Sequence, residues 1–143
     1  MFRVGSVFIP VTDLEEASSW YEKNLGVRKI QEWGEGSEKG IGYYFSDGST
    51  QLGLVQVEKV ASSEFNVNEN KRNAYFNFLV DDIHSVYTQF NENGVRTTAL
   101  EEFGGMTCFD FYDLDGNPFS VVNEVKDSPF HTDQVMKLQQ SKI

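Results

Sequence analysis

Phe8-Ile9-Pro10-Val11-Thr12-Asp13-Leu14 and Phe76-Asn77-Phe78-Leu79-Val80-Asp81-Asp82-Ile83 open two copies of one pattern. A polar–apolar mixture follows each, ending at Leu25-Gly26-Val27 in the first copy and at Asn93-Gly94-Val95 in the second. Each copy closes with an Asp-Gly turn before an apolar run: Asp47-Gly48-Ser49 ahead of residues 51–55, and Asp115-Gly116-Asn117 ahead of residues 119–122. Asp13 to Asp47 is 34 positions and Asp82 to Asp115 is 33. Landmarks in matching order at near-equal spacing indicate a duplicated structural unit, and such a repeat constrains the fold before any single residue does.

Within the first copy, residues 3–11 read as a strand, with Val7, Ile9 and Val11 on one face and Ser6, Phe8 and Pro10 on the other. Thr12-Asp13-Leu14-Glu15 has the form of a capping box, with Thr12 as N-cap. A helix follows, carrying Leu14, Ala17, Tyr21 and Leu25 at helical spacing, and Gly26 is placed to end it in the left-handed conformation. Three strands are expected at residues 28–33, 41–45 and 51–57. The second copy repeats the order: a strand at 74–80, a helix capped by Asp82 with Ile83, Val86 and Phe90 as its apolar stripe, Gly94 at its end, and strands at 95–100, 106–112 and 119–123. The expected fold is therefore α+β, two strand-helix-three-strand (βαβββ) repeats forming paired curved mixed sheets around a central cavity. Residues 1–124 form a single domain in this reading, with units at 1–57 and 74–124 and a polar, aperiodic linker at 58–73. Residues 125–143 form a tail with a short helix at 133–140.

Composition narrows the function classes. Net charge is −10, and residues 1–70 and 71–143 each carry 6 basic and 11 acidic side chains, so the acidity is spread over both copies. Such a surface repels nucleic acid and anionic membranes and attracts cations, although most of these carboxylates serve solubility. Cys108 is the one cysteine, which leaves no internal disulfide, and the start of the chain lacks a secretory pattern. The expected location is cytoplasmic. His84, just inside the second helix, and His131, in the tail, read as solvated. Cys108, beside Phe109 in a strand, reads as a small core residue rather than a nucleophile.

The ordered combination of Val11-Thr12-Asp13-Leu14, the doubled unit and Asp113-Leu114-Asp115-Gly116-Asn117-Pro118 resembles the vicinal-oxygen-chelate superfamily, which includes glyoxalase I, extradiol dioxygenases, fosfomycin-modifying enzymes and bleomycin-resistance proteins. Leu114 stands where that family usually has Pro. The resemblance implies one divalent metal held by His, Glu or Gln from the inner sheet faces. Carried over by position, those places are Ser6 and Gly53 in the first copy and Tyr75 and Ser120 in the second, none a good metal ligand. Gln51 and Glu124 reach such places only through register slips of two residues. No metal or cofactor is therefore expected.

What remains is a cavity with Ser6, Phe8, Trp33, Tyr44, Tyr75, Asn77, Phe109, Phe111 and Ser120 on its walls. Inward aromatics on an acidic protein resemble the bleomycin-resistance branch, whose metal-independent dimers sequester planar cationic drugs. Three readings follow. The first is a metal-independent homodimer binding a planar aromatic, neutral or cationic small molecule for resistance, sequestration or sensing. The second is a glyoxalase-like lyase, isomerase or dioxygenase with an atypical metal site. The third is a homodimer whose inner faces are filled and which acts through partner contacts.

Overall fold

The structure, a computed structural model, describes residues 1–141; the last two positions of the expected tail lie outside them. The chain divides into two compact units. The first takes Met1–Ser63 and also Asp113–Asn117; the second takes Glu64–Tyr112 and the chain from Pro118 on.

In the first unit β1 (Ser6–Val11), α1 (Leu14–Leu25), β2 (Arg28–Glu35), β3 (Glu38–Tyr44) and β4 (Gln51–Gln56) form one four-stranded sheet in the order β1-β4-β3-β2. β1 runs parallel to β4, and the remaining pairs are antiparallel. Ile9, Val11, Ile41, Tyr43, Leu52 and Leu54 are buried with Leu14, Ala17 and Tyr21 of α1, so alternation along the strands meets the helical stripe as expected. Asp13, not Thr12, caps α1: its side chain accepts from the Glu16 backbone N–H at 3.0 Å. Thr12 instead donates through its backbone N–H and hydroxyl to Asp115. Both residue types can cap a helix, and the partner that draws Thr12 away lies 103 positions along the chain. Gly26 ends the helix at φ 68°. β1 begins at Ser6 rather than residue 3. β2 and β3 meet in a tighter hairpin than expected because Gly34 and Gly36, both at positive φ, turn the chain within four residues.

The segment Asp113–Asn117 is held in the first unit by its own polar groups. Asp113 is buried and accepts from Tyr21 Oη at 2.5 Å, from the backbone N–H groups of Asp115 and Asn117 at 2.9 Å, and from Asn117 Nδ2 at 2.8 Å. Asn117 also donates to the Pro10 carbonyl at 2.9 Å. A buried carboxylate is tolerated where donors surround it this closely. Beside that carboxylate, burial above all holds the Tyr21 hydroxyl far above the ordinary tyrosine range.

The second unit opens with a hairpin, β5 (Glu64–Asn68) and β6 (Lys71–Ala74), inside the stretch expected to be an unstructured linker. β7 (Asn77–Leu79), α2 (Ile83–Glu92), β8 (Glu101–Phe103), β9 (Met106–Tyr112) and β10 (Pro118–Val122) then repeat the first unit's plan, with sheet order β7-β10-β9-β8 and β7 parallel to β10. α3 (Thr132–Gln140) follows. The strand expected at 74–80 is divided, because Ala74 pairs with Glu64 in the hairpin while Asn77 pairs with Ser120. The strand expected at 95–100 is reduced to one bridge, Thr97 to Phe111, with regular pairing only in β8. There Thr98 Oγ1 accepts the Asp110 N–H at 2.8 Å, so a side chain takes a place that a backbone carbonyl would fill in a regular ladder. Asp82 caps α2 through the Ser85 N–H at 3.1 Å. Among the described residues no helix is long and apolar enough to cross a membrane.

Candidate functional site

Each four-stranded sheet has one face under its helix and one open face. On the first sheet, Ser6, Gln51 and Tyr44 share a cross-strand row, Phe8, Gly53 and Gly42 the next, and Pro10, Val55 and Gly40 a third. Trp33 pairs with Gly40 from β2. Three glycines in adjacent rows leave a patch of bare backbone, and aromatic rings lie on it. A Cβ built at Gly40 would sit 2.3 Å from Trp33 Cζ2, one at Gly42 3.7 Å from Cζ3, and one at Gly53 3.5 Å from Cη2 and 2.6 Å from Phe8 Cδ1. The indole thus has one side on the sheet, yet Trp33 remains 42% exposed and Phe8 63%. Ser6 and Tyr44 are also exposed, which brings four of the expected site residues onto one open face.

On the second sheet, Asn77, Ser120 and Asp110 lie in one row across β7, β10 and β9. Thr98 extends the row by accepting from the Asp110 N–H and donating its own N–H to the Asp110 carbonyl. Val122 and Cys108 occupy the next row, and Pro118 and Tyr112 the row on the other side. Tyr75 lies outside the strands, 70% exposed, with its ring 5.1 Å from that of Phe65 in the hairpin. Phe109 and Phe111 do not line this face. They are 2% and 1% exposed and pack under α2, where Phe109 meets Tyr87 at 5.1 Å and Phe111 meets Phe90 at 4.9 Å between ring centroids. The alternation of β9 places Met106, Cys108, Asp110 and Tyr112 on the open side instead.

Asp110 is the ionisable residue that sequence reading passed over. Burial pushes its carboxyl up from the ordinary range and the nearby Glu101 adds to this, while a hydrogen bond from Ser120 opposes it. Burial likewise raises the Cys108 thiol, assisted by Glu101 and Asp110, which disfavours the thiolate a nucleophile needs. His84 is exposed on α2, and His131 caps α3 by accepting the Asp133 N–H at 3.0 Å.

The four positions at which a divalent metal would be bound do not fit one. The place above Gly53 is taken by the Phe8 ring, Ser6 and Ser120 offer only hydroxyls, and Tyr75 leans on Phe65. Two recesses of about 520 Å³ each open on the surface, one beside α3 around Leu138 and Lys137, the other along α2 around His84 and Gln89. The first is lined by α3 and the turn before it, and the second wholly by polar and charged side chains of α2 and its cap, without the apolar or aromatic lining of a small-molecule site, so the sheet faces are the better candidates.

Residues 3–121 match the family model described as the Glyoxalase/Bleomycin resistance protein/Dioxygenase superfamily. No curated protein sequence is significantly similar. Among solved structures, a superfamily member from Sphaerobacter thermophilus DSM 20745 is 25% identical, with a TM-score of 0.69 over 87% of this chain and 98% of that one. TnmS3, an antibiotic binding protein from Streptomyces sp. CB03234, is 17% identical, with a TM-score of 0.68 over 87% and 98%. The fosfomycin resistance protein FosX from Listeria monocytogenes is 11% identical, with a TM-score of 0.67 over 89% and 97%. The doubled sheet-and-helix plan and the match over residues 3–121 agree: this chain belongs to the glyoxalase/bleomycin resistance protein/dioxygenase superfamily.

Proposed function

We propose that the chain is a small-molecule-binding protein that works without a metal and takes a planar aromatic, neutral or cationic compound, for resistance, sequestration or sensing. The observation that carries this reading is the indole of Trp33, laid on the bare backbone of Gly40, Gly42 and Gly53 beside Phe8 and still 42% exposed. A ring supported on one side and open on the other is a ready stacking surface, and stacking adds about 0.5–1.5 kcal/mol beyond area burial. The net charge of −10 disfavours anions. The antibiotic binding protein of the same fold shows that this architecture serves binding without implying chemistry. A homodimer and a cytoplasmic setting belong to the same proposal. β2 is an eight-residue edge strand exposed along its length, and Cys108 is the one thiol of the sequence.

A charge-graded set of planar probes at pH 8 tests it: 9-aminoacridine as cation, acridine as neutral ring, acridine-9-carboxylate as anion. The cation and the neutral ring are expected to bind and to perturb Trp33 fluorescence, and Trp33→Ala is expected to weaken both by roughly 1–3 kcal/mol. Protein purified without chelator is expected to carry no stoichiometric metal by mass spectrometry. Preference for the anion, or near-stoichiometric bound metal, would overturn the reading and favour a metal-dependent enzyme.

A further inference from the structure

We propose that Asp110 is the anchor by which the open face of the second sheet selects a protonated nitrogen, an amine or amidine carried on the ligand. This rests on the reading that the open sheet faces take a small molecule, and it names the charge and hydrogen-bonding class of what they take. Asp110 stands in mid-sheet, on β9 between β10 and the 95–100 segment, rather than on a loop or helix end. Its neighbours along the row are Ser120, Asn77 and Thr98, all neutral. Ser120 lies directly opposite Asp110 in the pairing of β10 with β9, and a carboxylate has more acceptor capacity than one neighbouring hydroxyl can take, which leaves sites for a guest.

Among the described residues no Lys, Arg or His forms an ion pair with Asp110. The basic residue nearest along the neighbouring segment is Arg96, and its guanidinium lies 4.0 Å over the Tyr112 ring. Glu101, on β8, adds negative potential, and the Arg96 guanidinium, held over the Tyr112 ring in the flanking row, forms no ion pair with Asp110. A partly desolvated carboxylate without a cationic partner attracts one more strongly than a fully solvated one does. The flanking rows supply apolar contact: Tyr112 and Pro118 on one side, Val122 and Cys108 on the other. A planar ring bearing an N–H cation suits that surface, whereas a carboxylate-bearing ring meets repulsion from both Asp110 and Glu101.

The test is the affinity ratio of 9-aminoacridine to acridine at pH 8, in the intact chain and in Asp110→Asn. The intact chain should favour 9-aminoacridine, and Asp110→Asn should lower that ratio about tenfold or more while leaving acridine within about twofold. Asp110→Glu, which keeps the charge, should retain most of the preference. Thermal melts of each variant confirm folding. Should Asp110→Asn not fold, Asp110→Thr, which removes the charge and suits a strand interior, takes its place, and the same fall in the ratio is expected. An unchanged ratio in every folded variant overturns the anchor while leaving the stacking surface standing, provided that Trp33→Ala still weakens acridine. Failure of acridine and 9-aminoacridine alike to bind overturns the binding reading itself, and the anchor with it.

Discussion

Replacing Gly40, Gly42 and Gly53 by Ala, one at a time, asks whether the indole of Trp33 truly rests on bare backbone. At Gly42 the new methyl meets nothing nearer than 3.7 Å, an ordinary contact. Only the lower chain entropy of the unfolded state then counts, and the variant should be more stable than the parent by about 0.4–1 kcal/mol. At Gly53 the methyl would lie 2.6 and 2.8 Å from Cδ1 and Cε1 of Phe8. That ring is exposed and can swing aside, at the cost of an off-rotamer torsion of about 0.5–1.5 kcal/mol, which offsets the entropy gain. Stability should stay within about 1 kcal/mol of the parent, but Phe8 loses its seat. At Gly40 the methyl would lie 2.3 Å from Trp33 Cζ2 and 2.6 Å from the Leu54 carbonyl oxygen. The indole can lift, but the carbonyl belongs to the β3–β4 ladder and cannot, so overpacking should cost about 1–3 kcal/mol. Urea denaturation at 25 °C with a shared m-value reads the order directly: Gly42→Ala above parent, Gly53→Ala near it, Gly40→Ala well below. A neutral Gly40→Ala, or a Gly42→Ala as damaging as Gly40→Ala, would falsify the close approach of backbone at these glycines on which the seat of the indole depends.

Tyr21→Phe removes one of four donors from the buried Asp113 carboxylate and should lower stability by about 1.5–3 kcal/mol, read from the same urea titrations; a loss below about 0.5 kcal/mol would mean that the remaining donors suffice. Above pH 10 the protein should weaken, because burial holds the hydroxyls of Tyr21 and Tyr43 above the ordinary tyrosine value, Tyr43 to about 12. The folded state keeps those protons where the unfolded chain has lost them, so stability is full below pH ~10 and falls as pH rises, by about 1.4 kcal/mol per pH unit per tyrosine. For Tyr43 that fall runs from pH ~10 to about 12, and Tyr43→Phe should flatten it; an unaltered slope would contradict the shift. Light scattering at micromolar concentration should return twice the mass of one chain, and a clean monomer would remove the homodimer from the proposal.

The repeat was legible because its markers are backbone-determined. Gly26 and Gly94 take positive φ after the two helices, and Asp-Gly turns precede the last strand of each unit, wherever the surrounding side chains point. The β5–β6 hairpin was not legible, for the opposite reason. Its strands are almost wholly exposed, so no buried face imposes a period of two on residues 64–74, and the polar composition reads as linker. The cap of α1 failed at a finer level. Thr12 and Asp13 are both good caps, and the choice between them is settled by Asp115, a residue that local pattern cannot bring near.

The least legible feature of the site was the phase of β9. Met106-Thr107-Cys108-Phe109-Asp110-Phe111-Tyr112 alternates, but both alternating sets contain apolar residues, so hydrophobicity alone leaves the burial of Phe109 and Phe111 or of Met106, Cys108 and Tyr112 undecided. Asp110 should have broken the tie, since an unpaired carboxylate does not belong under a helix. Pairing gives the same answer independently: Phe109 opposes Val121 and Phe111 opposes Phe119, both buried, whereas Asp110 opposes Ser120. A strand slipped by one residue turns a wall of two phenylalanines into a row of Asn77, Ser120 and Asp110. With that change the open face carries the Asp110 carboxylate where two phenylalanine rings were expected.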